Sequence, residues 1–268
     1  MLYFVPTPIG NLEDITSRSL KLLEEAKVIL CEDTRVTKRL LHLLKIKFEI
    51  SPKTEQFISL HSHNEKEVLA KLDLTMFNDT VLYVSDAGMP AVSDPGCELV
   101  LYCQERDIEY DVLPGANALL LAYASSGFCD SKFLFCGFLP HKGSHREDEL
   151  KKALYSGYIS IIYESPHRIL KLIDQIVELE PEREIFLIKE ATKLHQKIFK
   201  GFSKDIKVSL REQNTKGEWV VVIKGEEKEV GTISVKDILE LDIPKKQASK
   251  MIAKITGKSP KECYNNLL

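Results

Sequence analysis

Short apolar runs and amphipathic stretches alternate along the first half of the chain. Leu2-Tyr3-Phe4-Val5, Lys27 to Cys31, Thr80 to Val84 and Tyr110 to Leu113 read as strands. The first stretch between them carries Ile15, Leu20, Leu22, Leu23 and Ala26, roughly a helical stripe. Further helices run to about Lys45, after Leu60-His61-Ser62-His63-Asn64-Glu65 to about Leu72, over Cys97 to Glu105, and up to Ser125. A 3.6-residue period marks an amphipathic helix, and short β-branched runs mark strands. Their regular alternation predicts a mostly parallel sheet flanked by helices.

The second half has a different rhythm. Phe133 to Leu139, Tyr158 to Tyr163, Ile185 to Lys189, Gln196 to Lys200 and Trp219 to Lys224 read as strands. Helices fall at Arg146 to Leu154, His167 to Glu178 and Ser203 to Arg211. Only one helix separates the strands at Gln196 and Trp219, so antiparallel pairing is expected there. In the tail, Ala248, Met251, Ile252 and Ile255 follow i, i+3, i+4, i+7 spacing. Gly257 ends that helix, and Ser259-Pro260-Lys261-Glu262 starts another with a capping-box pattern. The division expected is an N-terminal α/β domain at 1–115, a C-terminal α/β domain with a mixed sheet at 116–228, and a small helical tail at 229–268.

The loops that follow strands carry the polar chemistry. Ser85-Asp86-Ala87-Gly88-Met89-Pro90-Ala91-Val92-Ser93-Asp94-Pro95-Gly96 has too much special backbone for a plain connector. Glycine lets a ligand approach the main chain, and α/β proteins place ligands where strands end in such loops. The plain alternative is a capped helix with Asp94 as N-cap and Pro95 in the first turn. Glu32-Asp33-Thr34-Arg35 ends the second strand, either as a site or as a helix start enriched in acid by its dipole. His61-Ser62-His63-Asn64-Glu65 offers two imidazoles that share a side on extended backbone. It lacks an evident third ligand, so no metal is expected; Asn64 or Ser62 capping the next helix and contact with substrate are the other readings.

Composition narrows the class. The 268 residues are 44% hydrophobic and 29% charged, with net charge -3. That is an ordinary soluble composition, with no run long enough for a membrane helix. The six cysteines are scattered without a C-x-x-C pair, and the start lacks a basic n-region, which together point to a reduced cytoplasm. Overall charge does not advertise a nucleic-acid binder, so any RNA surface must be local. Two segments offer one: the basic loop His141 to Arg146, and the tail from Ile243 to Leu268 with six lysines against one acid. Within it Lys246, Lys250 and Lys254 form an i, i+4 stripe, read as a solvated face or as a phosphate contact.

Taken in order, the loops resemble one family. Thr7-Pro8-Ile9-Gly10-Asn11, Glu32-Asp33-Thr34-Arg35, His61-Ser62-His63-Asn64-Glu65 and Ser85-Asp86-Ala87-Gly88-Met89-Pro90 come first. Asp94-Pro95-Gly96, Pro114-Gly115-Ala116, Gly137-Phe138-Leu139-Pro140, Tyr163-Glu164-Ser165-Pro166-His167-Arg168, Lys189-Glu190-Ala191-Thr192-Lys193 and Lys216-Gly217-Glu218 follow. The set resembles the small-subunit ribosomal RNA methyltransferases of the tetrapyrrole methylase superfamily, which 2′-O-methylate a cytidine of 16S rRNA. It spans about residues 2 to 225 and is weaker in the tail. Met89 stands where the family usually has Thr, Ala191 where Leu is common, and Asn117 where many relatives have a small residue.

The resemblance implies two α/β domains with S-adenosylmethionine (SAM) in the cleft between them, a homodimer, and 16S rRNA within the 30S subunit as partner. By position it implies Pro8, Ile9, Gly10, Asp86, Ala87, Gly88, Ala91, Ser93, Asn117, Ala118, Tyr163, Glu164 and Ala191 as cofactor contacts. A proton acceptor for the ribose hydroxyl is open among Glu32, Asp33, His63 and Glu190. Arg35, His167 and Arg168 are candidate phosphate grips. His63, Asn64, Lys142, Arg146, Lys246, Lys250 and Lys254 complete the expected substrate surface. Rival readings are a tetrapyrrole or other small-molecule methylase on the same fold, and a non-catalytic RNA-binding factor that keeps the cofactor fold.

Overall fold

The computed structural model describes residues 1–226, 235–241 and 243–267. Residues 1–226 form one compact unit with two sheets, and the tail forms a second. The expected boundary at 228/229 lies outside the described residues.

The first sheet is built from β1 (Leu2–Phe4), α1 (Ser17–Glu25), β2 (Val28–Cys31), α2 (Thr34–Phe48), β3 (Gln56–Ser59), α3 (Glu65–Lys71), β4 (Val81–Val84), α4 (Cys97–Glu105) and β5 (Tyr110–Val112). Its strand order is β3-β2-β4-β1-β5, every pair parallel. Strand β4 is the central one, and all four of its residues are buried. Parallel strands covered on both faces need such continuous apolar runs. One face packs Leu2, Phe4, Leu30, Tyr83 and Leu99 together, and the other Val5, Ile29, Leu44, Leu82 and Val84. Strand β3 was not expected from the pattern. It is an edge strand with no fully buried residue, so its alternation is faint.

Helix α5 (Ala118–Ser126) leads into the second sheet, made of β6 (Phe133–Phe138), α6 (Ser144–Tyr155), β7 (Ile159–Glu164), α7 (Ile169–Leu179), β8 (Glu184–Lys189), β9 (Lys197–Phe202), α8 (Ser203–Arg211) and β10 (Trp219–Ile223). The order is β6-β7-β10-β8-β9, with β6 and β7 parallel and the other pairs antiparallel. Antiparallel pairing is present at β9 and β10, but these strands do not pair with each other, because β8 lies between them. Trp219-Val220-Val221-Val222-Ile223 is wholly buried and takes the centre, whereas no residue of β9 is fully buried and it forms an edge. Because β10 runs against β7 and β8, its first residue Trp219 sits beside Glu164 and Lys189, at the carboxyl ends of both strands. That inversion brings three strand ends to one place.

In the tail, α9 (Val235–Glu240), α10 (Lys245–Thr256) and α11 (Pro260–Asn265) pack around Ile238, Ala248, Ile252 and Cys263. Gly257 in the left-handed region ends α10, and Ser259 caps α11 through the Glu262 N–H, as the sequence pattern indicates. Ile255 is about half exposed and stands outside that small core. Among the described residues no helix is long and apolar enough to cross a membrane.

Candidate functional site

The loops after the first-sheet strands are tied to one another through backbone groups. Thr7 and Gly88 exchange both main-chain hydrogen bonds, at 3.0 Å each, in an isolated antiparallel bridge. The Thr7 hydroxyl donates to the Ser85 carbonyl at 3.2 Å. Asp86 Oδ1 accepts the Asp33 N–H at 3.1 Å, which locks the β2 loop to the β4 loop. Gly88 takes φ +92°, and a Cβ there would stand 3.2 Å from Ile9 Cγ2. Ala91 and Ser93 lie in the left-handed region at φ 64°, so this loop holds backbone strain of the kind that gathers at functional sites.

The helix after this loop does not start where the capped-helix alternative puts it. Gly96 at φ +123° is the N-cap of α4, which begins at Cys97. The buried Glu65 of α3 accepts the Gly96 N–H at 3.2 Å. Asp94 is therefore released from capping and faces a cavity. Gly96→Ala is expected to destabilise the fold by about 1–3 kcal/mol, because an L residue is strained at that φ. Its Cβ would also lie 2.6 Å from the Tyr83 ring. Urea unfolding measures this, and a loss below about 0.5 kcal/mol would contradict the account.

The cavity has a volume of about 400 Å³, within the usual range for small-molecule sites. Ile9, Glu32, Asp86, Gly88 and Asp94 line it from the first sheet; Tyr163, Glu164, Ile188, Trp219 and Val220 line it from the second. Asn117 and Ala118 join them from the start of α5, where Asn117 caps the helix. The Leu119 N–H donates to the Tyr163 hydroxyl at 3.1 Å. The loop after β8 closes against the first loop. Asn11 N–H donates to Thr192 Oγ1 at 3.0 Å, and a Cβ on Gly10 would strike the Ala191 carbonyl at 2.9 Å.

Among the described residues the lining holds five carboxylates, on Glu32, Asp86, Asp94, Glu164 and Glu218, and no Lys, Arg or His. Burial raises the Glu32 carboxyl, helped by the charge of Asp86. Burial likewise raises Asp86, and it pushes Asp94 up to about 7, with Glu32 adding to the effect. Such a wall suits a cation, and the apolar surface of Ile188, Val220 and Trp219 suits a flat ring beside it.

The cavity brings together ten of the expected cofactor residues: Ile9, Asp86, Ala87, Gly88, Ser93, Asn117, Ala118, Tyr163, Glu164 and Ala191. Pro8, Gly10 and Ala91 lie outside its lining; Gly10 instead packs against the β8 loop. Of the acid–base candidates only Glu32 lines it. Asp33 caps α2 through the Arg35 N–H, so the helix-start reading of its carboxylate holds. The Arg35 guanidinium, bonded to it at 2.6 Å, holds it down to about 2. Arg35 itself is exposed. Burial pushes the Glu190 carboxyl up, but the Glu218 N–H and the Lys193 ammonium, at 2.9 and 3.0 Å, outweigh that and leave it lowered.

His63 is exposed, with its ring edge-on to His61 at 6.0 Å. Among the described residues no group of three or more His, Cys, Asp or Glu side chains is placed to hold a metal ion. Asn64 stands at the N-cap of α3 but does not cap it; its amide reaches back to the His61 N–H at 2.8 Å and the Ser59 carbonyl at 3.1 Å. Arg146 corrects the expectation of a phosphate contact. It is buried, and its guanidinium is used up on Glu164, Gln175 and the Pro140 carbonyl, each at 3.0 Å. Arg168 is held in the same network by Glu164 at 2.7 Å and the Leu139 carbonyl at 3.1 Å. Lys142, His167, Lys246, Lys250 and Lys254 are exposed. Met89, Val92, Asp94, Phe138, Ile188 and Trp219 also line the cavity without being among the expected cofactor contacts; in the sequence the apolar ones look like ordinary core, and Asp94 looks like a helix cap.

The sequence model of the tetrapyrrole (corrin/porphyrin) methylases matches residues 1–207. A ribosomal RNA small subunit methyltransferase I of Campylobacter fetus is 50% identical, over 100% of this chain and 100% of its own. A protein of the same name from Helicobacter pylori is 45% identical over 98% of this chain and 96% of its own, and one from Thermotoga maritima 42% over 84% and 99%. Among solved structures, a cobalt precorrin-4 methyltransferase has a TM-score of 0.57 at 17% identity, covering 83% of this chain and 94% of its own. A uroporphyrin-III C-methyl transferase from Thermus thermophilus, complexed with S-adenosyl homocysteine, has 0.56 at 17%, covering 82% and 96%. The chain belongs to the tetrapyrrole methylase family, and within it to the ribosomal RNA small subunit methyltransferase I proteins.

Proposed function

We propose that this chain is an S-adenosylmethionine-dependent methyltransferase that modifies the ribose 2′-oxygen of a cytidine in small-subunit ribosomal RNA. The observation that carries the reading is full-length identity of 50% to a protein of that name, joined to an acid-walled cavity of about 400 Å³ at the strand ends. The residues present fit the cofactor: among the described residues Glu32, Asp86 and Asp94 stand in the wall without an ion-pair partner, and Gly88, at φ +92°, packs its bare backbone against Ile9. Ile9, Asp86, Ala87, Gly88, Ser93, Asn117, Ala118, Tyr163 and Ala191 would hold it. When bound, it supplies a methyl group on positively charged sulfur, electrophilic as it stands.

The chain's own residues then bind, orient and move one proton. Glu32 accepts the ribose hydroxyl proton, since it alone among the acid–base candidates combines a place in the wall with a raised carboxyl. The loops strapped together by the Thr7/Gly88 and Asn11/Thr192 hydrogen bonds fix the reacting groups. Arg35, His63, Lys142, His167 and the stripe Lys246, Lys250 and Lys254 are exposed cations or imidazoles available to RNA phosphates. A cytoplasmic homodimer acting on the 30S subunit completes the proposal.

The test is incubation of the protein with methyl-labelled SAM and 30S subunits from a strain lacking this activity, followed by nucleoside mapping. Label on a 2′-O-methylcytidine of 16S rRNA is the expected result. Label on a tetrapyrrole, a protein or tRNA, or no label at all, overturns it.

A further inference from the structure

We propose that Asp94 sets the cavity's preference for a positively charged ligand over its neutral counterpart. The inference rests on the methyltransferase reading, in which substrate cofactor and spent product differ by one methyl group and one positive charge.

Four of the five carboxylates in the wall are otherwise engaged. Glu164 is bound by Arg146 and Arg168, and Glu218 by Lys193 at 2.9 Å. Asp86 is committed to the Asp33 N–H, and Glu32 is assigned above to the ribose proton. Asp94 has no ion-pair partner among the described residues; the nearby Ser85 hydroxyl eases its charge but also donates to the Gly88 carbonyl at 3.3 Å. The groups facing it are all acidic or neutral: Glu32 from the end of β2, Asp86 from the β4 loop, Glu218 before β10, and the Tyr83 and Tyr163 hydroxyls. The Tyr83 hydroxyl is buried without a hydrogen-bond partner among the described residues. Among the described residues no cation from the protein offsets an ionised Asp94, and a cation in the cavity would.

Burial with those neighbours holds Asp94 up to about 7. A cationic ligand favours the ionised form, so its binding sheds the Asp94 proton; a neutral ligand leaves the proton in place. The same logic gives the sign for folding. The unfolded carboxyl ionises near pH 4, whereas the native one keeps its proton to about 7. Stability linked to this group is therefore present at low pH and is lost as pH rises toward 7. Asp94→Asn removes that loss, so the variant is expected to fold at least as well as the wild type above pH 7.

Isothermal titration of the full chain with S-adenosylmethionine and with S-adenosylhomocysteine tests this. Asp94→Asn is expected to weaken the first about tenfold or more and the second less than about threefold, the contrast an opposite charge at close range produces. Equal losses for both ligands, or no loss for either, overturn the proposal. A second measurement needs no variant. Near pH 6.5, wild-type heats taken in buffers of different ionisation enthalpy are expected to vary for S-adenosylmethionine alone; buffer-independent heats for both ligands overturn it as well. If neither ligand binds the wild type, the methyltransferase reading itself fails.

Discussion

Arg146→Ala is expected to cost the protein about 3–5 kcal/mol, the usual penalty for breaking a buried ion pair from one side. The side chain is 1% exposed, and its partner Glu164 is 0% exposed. Three separate acceptors would lose their donor at once: Glu164 Oε2, Gln175 Oε1 and the Pro140 carbonyl. Arg168 and the Ser165 N–H remain on Glu164, so its charge is not wholly orphaned. The network joins the loop after β6, the starts of α6 and α7 and the end of β7, and it carries the second-sheet side of the cavity. A fall in Tm of roughly 6–20 °C follows for a domain of this size. Arg146→Lys is expected to recover little, since one ammonium cannot spread over the three directions that a guanidinium fork reaches. A loss under about 1 kcal/mol in urea unfolding would show that the network is not what holds these loops.

The case of Arg146 shows what sequence can and cannot carry. A basic residue in a loop of His, Lys and Gly reads as surface, and only the fold turns it inward to meet Glu164. Central strands were legible because β4 and β10 are wholly buried and need unbroken apolar runs. Edge strand β3 was not, since burial imposes little on Gln56-Phe57-Ile58-Ser59. The antiparallel character of β9 and β10 was legible from the single helix between them; their separation by β8 was not, because strand order is set by which run can sit at the centre. Loops rich in Gly and Asp marked the first-sheet wall of the cavity. Ile188, Trp219 and Val220 gave no signal, since one end of a core strand serves as cavity wall without any change in residue type. Asp94 was hidden by a plausible cap. Gly96 takes that place instead, because only glycine adopts φ +123° with ease.

Glu32→Gln is expected to lower kcat about 10²- to 10⁴-fold, the size of a general-base contribution, while S-adenosylmethionine binding changes only modestly. The division follows from where the charges sit. Glu32 is partly exposed at the end of β2, and its carbonyl is held by the Ser59 hydroxyl at 3.1 Å, so the amide replaces the acid without moving the loop. Burial and Asp86 raise the carboxyl, which makes it a better proton acceptor than an ordinary acid once ionised. Asp33 is the contrast. Arg35 holds it at about 2, where a carboxylate is a poor base, and it lies outside the cavity lining. Asp33→Asn is expected to leave most of the chemical step intact and to act through the cap and the partner arginine. A pH profile separates the two roles: wild-type kcat rises as Glu32 ionises, and Glu32→Gln loses that limb while Asp33→Asn keeps it. Full turnover in Glu32→Gln would remove this residue from the mechanism. A loss in Asp33→Asn alone would shift the proton to Asp33, outside the cavity lining and beside the exposed Arg35.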